Sequence, residues 1–240
     1  MKEYVYVDAH VLATPAAVDL NGDGVMDLVM AVSYFFDEDD YANRPHLFAA
    51  LGSDVKIRNY VAGGVVAYDI ANARVLWTEH LDLTTDFTAQ KAYIYSSPTV
   101  VDLDADGEME VIVGSSLGFI YALHAVDGSL VEGFPITMSE IQAQIGVEDV
   151  NGDGQLEMIA MDKSSGLENG CCTTGREVWE HSIQGFSAQG ATFGDVNGDG
   201  MMDVVIGTLT GWVWALRGDT GDVLPRFPFK TEGGTPFPCS

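Results

Sequence analysis

Asp195-Val196-Asn197-Gly198-Asp199-Gly200-Met201-Met202-Asp203, followed directly by Val204-Val205-Ile206-Gly207, is the stretch that decides the fold. Acids or amides stand at positions one, three, five and nine of a glycine-bearing loop, and an apolar run begins at once after it. The same nine residues recur as Asp19, Asn21, Asp23, Val25 and Asp27, read at odd positions. They recur again as Asp102, Asp104, Asp106, Glu108 and Glu110, and as Asp149, Asn151, Asp153, Gln155 and Glu157. In the quoted copy these positions are Asp195, Asn197, Asp199, Met201 and Asp203. The first positions lie 83, 47 and 46 residues apart. The two shorter spacings match a four-stranded propeller blade, and the longer one implies an insertion.

Working outward, each loop separates two short apolar runs. Leu12 to Val18, Thr99 to Val101, Ile145 to Val147 and Ala191 to Phe193 precede the loops. Leu28 to Val32, Val111 to Val113, Met158 to Met161 and Val204 to Ile206 follow them. Runs of this length bounded by Gly and Asp read as buried strands. A third strand often opens on glycine, at 64–68, 118–123 and 211–216, and a fourth is read at 74–77 and 176–179. In the third unit Glu168, Asn169 and Gly170 break the alternation, which predicts a short or distorted strand there. The expected architecture is an all-β propeller of four four-stranded antiparallel blades, at about 10–80, 93–135, 141–183 and 187–228, forming an open arc of a larger ring. The residues from Pro225 onward read as a chain entering a further blade.

The loop composition points to calcium, which takes six to eight hard oxygen ligands in a flexible shell. Positions one, three and five direct side-chain oxygens to one concave side. Glycine at six lets the chain bend so that the carbonyl of position seven (Val25, Glu108, Gln155, Met201) turns inward. The acid at nine closes the shell, with both oxygens. An EF-hand would need Glu at position twelve and flanking helices. Position twelve is instead Met30, Val113, Ala160 and Ile206, so that alternative fails. The expectation is about four calcium ions, structural in role. Extracellular modules hold calcium with Kd of about 10⁻⁴ to 10⁻³ M, which favours an extracellular or secretory setting.

Charge agrees with this. The chain of 240 residues carries 36 Asp and Glu against 11 Lys and Arg, a net charge of −25. Such a surface repels nucleic acid and anionic membrane and attracts cations. The four loops hold 14 of those acids, so the charge is focused rather than scattered. No apolar run is long enough for a membrane helix, and Met1-Lys2-Glu3-Tyr4 does not open a signal peptide. Cys171, Cys172 and Cys239 form neither a disulfide framework nor a zinc pattern.

Asp-x-Asn-x-Asp-Gly-x-x-Asp followed by an apolar run such as Val204 to Gly207 resembles the FG-GAP repeats of integrin α-subunit propellers. Met30 to Asp37, Tyr60 to Gly64, Ala92 to Asp102 and Gly194 to Gly200 are similar to strings of the plant "defective in exine formation" family. That resemblance implies a calcium-binding propeller ectodomain in the secretory pathway or at the plasma membrane, associated with pollen-wall patterning.

The remaining features are weaker. The excess of the first unit lies at about 34–63, with a smaller part near 80–92. Asp37 to Asp40 reads as an acidic run or an additional weak cation site, and Pro45 as the start of a short helix ending at Gly52. Phe119, Tyr121, Trp212 and Trp214 at alternating positions read as core before they read as a sugar platform. His10, His46, His80, His124 and His181 show no metal or triad spacing, and no nucleophile, phosphate or nicotinamide motif appears. A recognition or adhesion module for a protein or cell-wall polysaccharide is therefore expected, with no catalytic residues. A lyase-like enzyme on a calcium-stapled propeller is the alternative. A quinoprotein-like propeller, suggested by Ala67 to Asp69 and Trp77, is a lesser one.

Overall fold

The computed structural model describes residues 7–49, 55–85, 88–163, 167–172 and 177–231. Four antiparallel sheets account for nearly all the regular structure. The first holds β1 (Asp8–His10), β2 (Ala16–Val18), β3 (Asp27–Phe35), β4 (Val61–Asp69) and β5 (Arg74–Thr84). The second holds β6 (Thr99–Val101), β7 (Glu110–Gly114), β8 (Phe119–His124) and β9 (Ile136–Thr137). The third runs β10 (Gly146–Glu148), β11 (Glu157–Met161), β12 (Leu167–Cys172) and β13 (Glu177–Ser182). The fourth runs β14 (Thr192–Gly194), β15 (Asp203–Gly207), β16 (Trp212–Arg217) and β17 (Phe229–Lys230). Strands in the last three sheets pair strictly in chain order, the meander of a propeller blade.

The second strand of each meander is the buried one. All five residues of β7 and all five of β11 are buried, because both faces of these strands meet a neighbouring sheet. That explains why they read as continuous apolar runs without alternation. Three cores fill the seams between successive sheets. Val29, Val65, Trp77, Val111 and Leu123 join the first sheet to the second. Ile112, Ile120, Ile141, Met158 and Ala160 join the second to the third. Ile159, Met161, Trp179, Val204 and Leu216 join the third to the fourth. The first strands β2, β6 and β10 lie beside one another at one edge of the stack. The protein is thus all-β and propeller-like, and its four sheets are consistent with four blades.

Two tryptophans lock alternate seams. Trp77 Nε1 donates to the Ala125 carbonyl of the second sheet at 2.8 Å, and Trp179 Nε1 donates to Gly218 O of the fourth at 2.6 Å. Each indole lies on a hairpin glycine. A Cβ on Gly128 would stand 2.6 Å from the Trp77 ring, and one on Gly221 would stand 2.8 Å from that of Trp179. Both glycines have positive φ, 78° and 71°, so hairpin geometry and the close approach demand the same residue.

The structure departs from the sequence expectation in several places. Residues 12–15 are not strand; β2 covers only Ala16–Val18, and an unforeseen β1 pairs with the far end of β3, which runs on to Phe35. The acidic run is not a free loop. Asp37 caps helix α1 (Glu38–Asn43) by accepting from the Asp39 N–H at 3.0 Å, and this capping explains why acids cluster there. Helix α2 (Pro45–Ala49) starts at Pro45 as expected, while Gly52 lies outside the described residues. The interrupted third strand of unit three is distorted as expected, with a register shift between Gly170 and Cys171, but it is not short, spanning six residues. Pro225 to Pro228 lead into β17, which pairs with β16 and so completes the fourth sheet. Pro236, Pro238 and Cys239 lie outside the described residues, as does Met1 to Tyr4.

Of the aromatic stripe, Tyr121 and Trp214 are buried, while Phe119 and Trp212 are half-buried against the seams. The Tyr121 hydroxyl donates to Asp82 Oδ1 at 2.7 Å, binding β8 to the long β5. Burial raises the Tyr121 hydroxyl far above its ordinary value.

Candidate metal centres in the interstrand loops

Each nine-residue loop joins two paired strands of one sheet, β2 to β3, β6 to β7, β10 to β11 and β14 to β15. Position two is apolar and anchors the loop: Leu20, Leu103 and Val150 each pack into the seam beyond their own sheet. The fourth counterpart, Val196, is 47% exposed, because among the described residues no sheet follows the fourth.

The acid at position nine opens the second strand, and all four copies are buried. Asp27, Glu110, Glu157 and Asp203 are 0%, 2%, 2% and 1% exposed. One oxygen of each accepts the backbone N–H of position two, from Leu20 at 3.1 Å, Leu103 at 2.8 Å, and Val150 and Val196 at 3.0 Å. The ninth acid therefore has a task within the loop besides the cation binding expected of it. One oxygen is partly engaged in holding the loop's entrance to its exit.

Position one organises the turn. Asp19 Oδ1 accepts from Gly22 and Asp23 N–H at 2.8 and 3.1 Å, and its Oδ2 accepts from Gly24 N–H at 2.9 Å. The third and fourth loops repeat this set through Asp149 and Asp195. In the second loop Asp102 holds Asp106 and Gly107. Position three accepts from the N–H of position five, and position five from that of position seven, in every copy. These side-chain turns curl the loop so that carboxylates gather on its inner side. Sequence reasoning placed the bend at position six, but position four is also left-handed: Gly22, Gly152 and Gly198 have φ of 73°, 75° and 79°, and Ala105 has 61°. Glycine at position four in three copies was the available signal.

These residues suit a hard divalent cation. Asp102, Asp104 and Asp106 each offer an oxygen within 4.8 Å of the others. Asp27 Oδ1 is buried and has no hydrogen-bond partner. Glu157 Oε1 takes only the Asn151 amide, at 3.0 Å, and the same amide touches Asp153 Oδ2 at 3.2 Å. Glu110 Oε1 lies 3.6 Å from His124 Nδ1. An orphaned carboxylate oxygen below the surface is costly unless a cation meets it, and an all-oxygen donor set selects calcium over softer metals.

Burial raises the carboxyls of Glu110 and Glu157. Asp104 and Asp106 add to the effect on the former, Asp153 and Asp149 on the latter, and the N–H bonds from Leu103 and Val150 oppose it. The consequence for stability has a definite sign. A carboxyl raised in the fold contributes stability that is complete below its ordinary value of about 4.5 and is lost as pH rises through the folded value. Asp69, Asp127 and Asp219 are held low, chiefly by side-chain bonds from Asn72, Ser129 and Arg217. Their contribution fades only as pH falls below the ordinary aspartate value of 3.8. In chelator the melting midpoint should therefore decline as pH rises from 4.5 toward neutrality. With saturating calcium it should rise instead, because the ions need deprotonated ligands. Thermal melts across that range check this; parallel slopes in the two conditions would contradict it.

Among the described residues no helix is long and apolar enough to cross a membrane. Three of the five histidines are engaged in ring packing: His10 stacks on Phe35 at 3.8 Å, while His80 and His181 meet Tyr34 and Trp214 at 5.4 and 5.8 Å. A separate opening of about 360 Å³ is lined by Thr14, Tyr95, Ser97, Gln144 and Gln189, near the starts of the first strands.

Residues 12–48 match the FG-GAP repeat family, a span that contains the first loop and the strands beside it. No curated protein matches the chain, so the similarity to the exine family rests on the quoted strings alone. Among solved structures, a rhamnogalacturonan lyase of Bacillus licheniformis aligns with TM-score 0.55 and 14% identity, over 88% of this chain and 41% of that one. The rhamnogalacturonan lyase YesW aligns with TM-score 0.55 and 15% identity, over 87% of this chain and 41% of that one. BamB from Moraxella catarrhalis gives TM-score 0.45 and 18% identity, over 70% and 42%. The chain spans about two-fifths of the length of these three proteins, and at such identities the likeness concerns the fold. This protein is an all-β, propeller-type chain that carries an FG-GAP repeat at residues 12–48.

Proposed function

We propose that the chain is a calcium-stapled propeller module that recognises a protein or polysaccharide ligand outside the cell. The observation that carries the calcium reading is the buried acid at position nine, repeated in all four sheets, with Asp27 Oδ1 left without a partner. The ions tie the first strand of each blade to the second and hold the surface rigid, and no helix pair flanks them that calcium could open as in a sensor. Asp19, Asn21, Asp23 and Asp27 would hold one ion, with the carbonyl of Val25. The other loops supply the corresponding residues: Asp102, Asp104, Asp106, Glu108 and Glu110; Asp149, Asn151, Asp153, Gln155 and Glu157; Asp195, Asn197, Asp199, Met201 and Asp203.

The opening bordered by Thr14, Tyr95, Ser97, Gln144 and Gln189 offers hydroxyls, amides and one aromatic edge, with no charged group. That chemistry suits a neutral sugar. A net charge of −25 disfavours an acidic polysaccharide, and this weighs for binding and against a lyase. The pollen-wall setting implied by the exine resemblance remains one form of the same proposal.

Calorimetric titration with calcium is the test. We expect saturable binding at micromolar to millimolar calcium, and Glu157→Gln should weaken the third site about tenfold or more by removing a ligand charge. Absence of binding at 10 mM calcium, a concentration chosen about tenfold above the weakest Kd of extracellular modules, would refute the reading. Calcium-dependent capture of neutral wall polysaccharide, lost in Gln144→Ala with Gln189→Ala, tests the ligand surface separately.

A further inference from the structure

The residue facing the ninth acid across the sheet differs from blade to blade. On the third strand, Glu110 pairs with His124, Glu157 with Cys172 and Asp203 with Arg217. In the first sheet the ladder reaches Leu28 and Tyr68, which brings Asp69 to the end of β4 beside Asp27 at the start of β3. Only the fourth sheet sets a permanently charged cation in this place.

Arg217 is held there on purpose-built contacts. Its Nε and Nη2 fork onto Asp219 Oδ1 and Oδ2 at 3.0 and 2.9 Å, a bidentate pair that fixes the plane of the guanidinium. Its Nη1 then reaches Asp199 Oδ2, position five of the fourth loop, at 3.2 Å. The same oxygen accepts the Asn197 amide at 3.0 Å. Both of its lone-pair directions are thus taken. In the third loop the equivalent oxygen, Asp153 Oδ2, takes only the Asn151 amide among the described residues. Among the described residues no Lys or Arg pairs with Asp23, Asp106 or Asp153.

We propose that Arg217 is the resident counter-cation of the fourth loop, so that the chain holds three calcium ions tightly and a fourth at least tenfold more weakly. This rests on the calcium reading of the loops given above. A calcium ion entering the fourth loop must displace the guanidinium from Asp199 or sit close to its positive charge; either weakens binding. Among the described residues the other three loops carry no such competitor. The fourth blade therefore keeps its loop shaped when calcium falls, while the first three open.

The test is calorimetric counting of sites on the whole chain. Wild-type protein should show three tight ions, and Arg217→Gln should show four. Arg217→Gln combined with Asp199→Ala should return the count to three. If the glutamine variant fails to fold, loop knockouts in the wild-type background decide the matter. Asp195→Ala should leave three tight ions, whereas Asp149→Ala should leave two. Four equivalent ions in the wild type, or no gain on Arg217→Gln, would overturn the role of Arg217 and leave the calcium reading standing. Binding of no calcium by any variant would overturn both.

Discussion

Chelating divalent cations should lower the midpoint of thermal unfolding by about 10–20 °C, and calcium should restore it. At calcium tenfold above Kd each site adds about 1.4 kcal/mol. Three or four sites then contribute about 4–6 kcal/mol, on the order of half the stability of an ordinary domain. For a chain of this size each kcal/mol moves the midpoint by about 2–4 °C. The structural reason lies in the loops themselves. Carboxylates about 4 Å apart repel by roughly 4 kcal/mol at an effective dielectric near 20, and Asp102, Asp104 and Asp106 each bring an oxygen within 4.8 Å of the others. Magnesium should restore less than calcium does, because it demands a smaller octahedral shell and keeps its waters. A midpoint unmoved by chelator, measured by circular dichroism at neutral pH, would remove calcium from the account of stability.

Much of the fold and of the loop pattern was legible in the sequence because the informative residues are local. Positions one, three, five and nine fall within nine residues, so their alternation survives in the linear chain. The apolar runs after each loop announced β3, β7, β11 and β15 for the same reason: strands buried on both faces have no polar face to interrupt them. What escaped notice depends on partners distant in sequence or on very short elements. Strands β9 and β17 are two residues long, too short for any period to show. The role of Arg217 requires knowing that β16 runs antiparallel to β15 in a register that sets it opposite Asp203. Helix α1 was hidden because its capping acid, Asp37, looks like a cation ligand when the loop is assumed open. The lesson of the ninth position is similar. Its acid was visible, but its bond to the N–H of position two follows from the depth at which the strand starts.

Trp179→Ala should cost about 4 kcal/mol, enough to lower the midpoint by a further 8–15 °C or so. Trp179 is 7% exposed and lies within the seam that joins the third sheet to the fourth, among Val150, Ile159, Met161, Ile183 and Val204. Its removal leaves a void that the rigid hairpin at Gly221 cannot close, and leaves the Gly218 carbonyl without the indole N–H at 2.6 Å. Trp212→Ala is the comparison, since that ring is only half-buried, with Lys230 Nζ lying 5.5 Å from its centre. It should cost about 1–2 kcal/mol. Equal losses in the two variants would mean that depth of burial in the seam does not set the cost. The seam and the third loop also share a residue: Val150 packs in the cluster, and its N–H holds Glu157 Oε2 at 3.0 Å. Loosening the seam should therefore loosen the loop, so that Trp179→Ala and Glu157→Gln are not additive in the presence of calcium. A double-mutant cycle measures this. Contacts shared so directly give coupling of about 0.5 kcal/mol or more, and a sum that closes within about 0.3 kcal/mol would show that the ion and the core act independently.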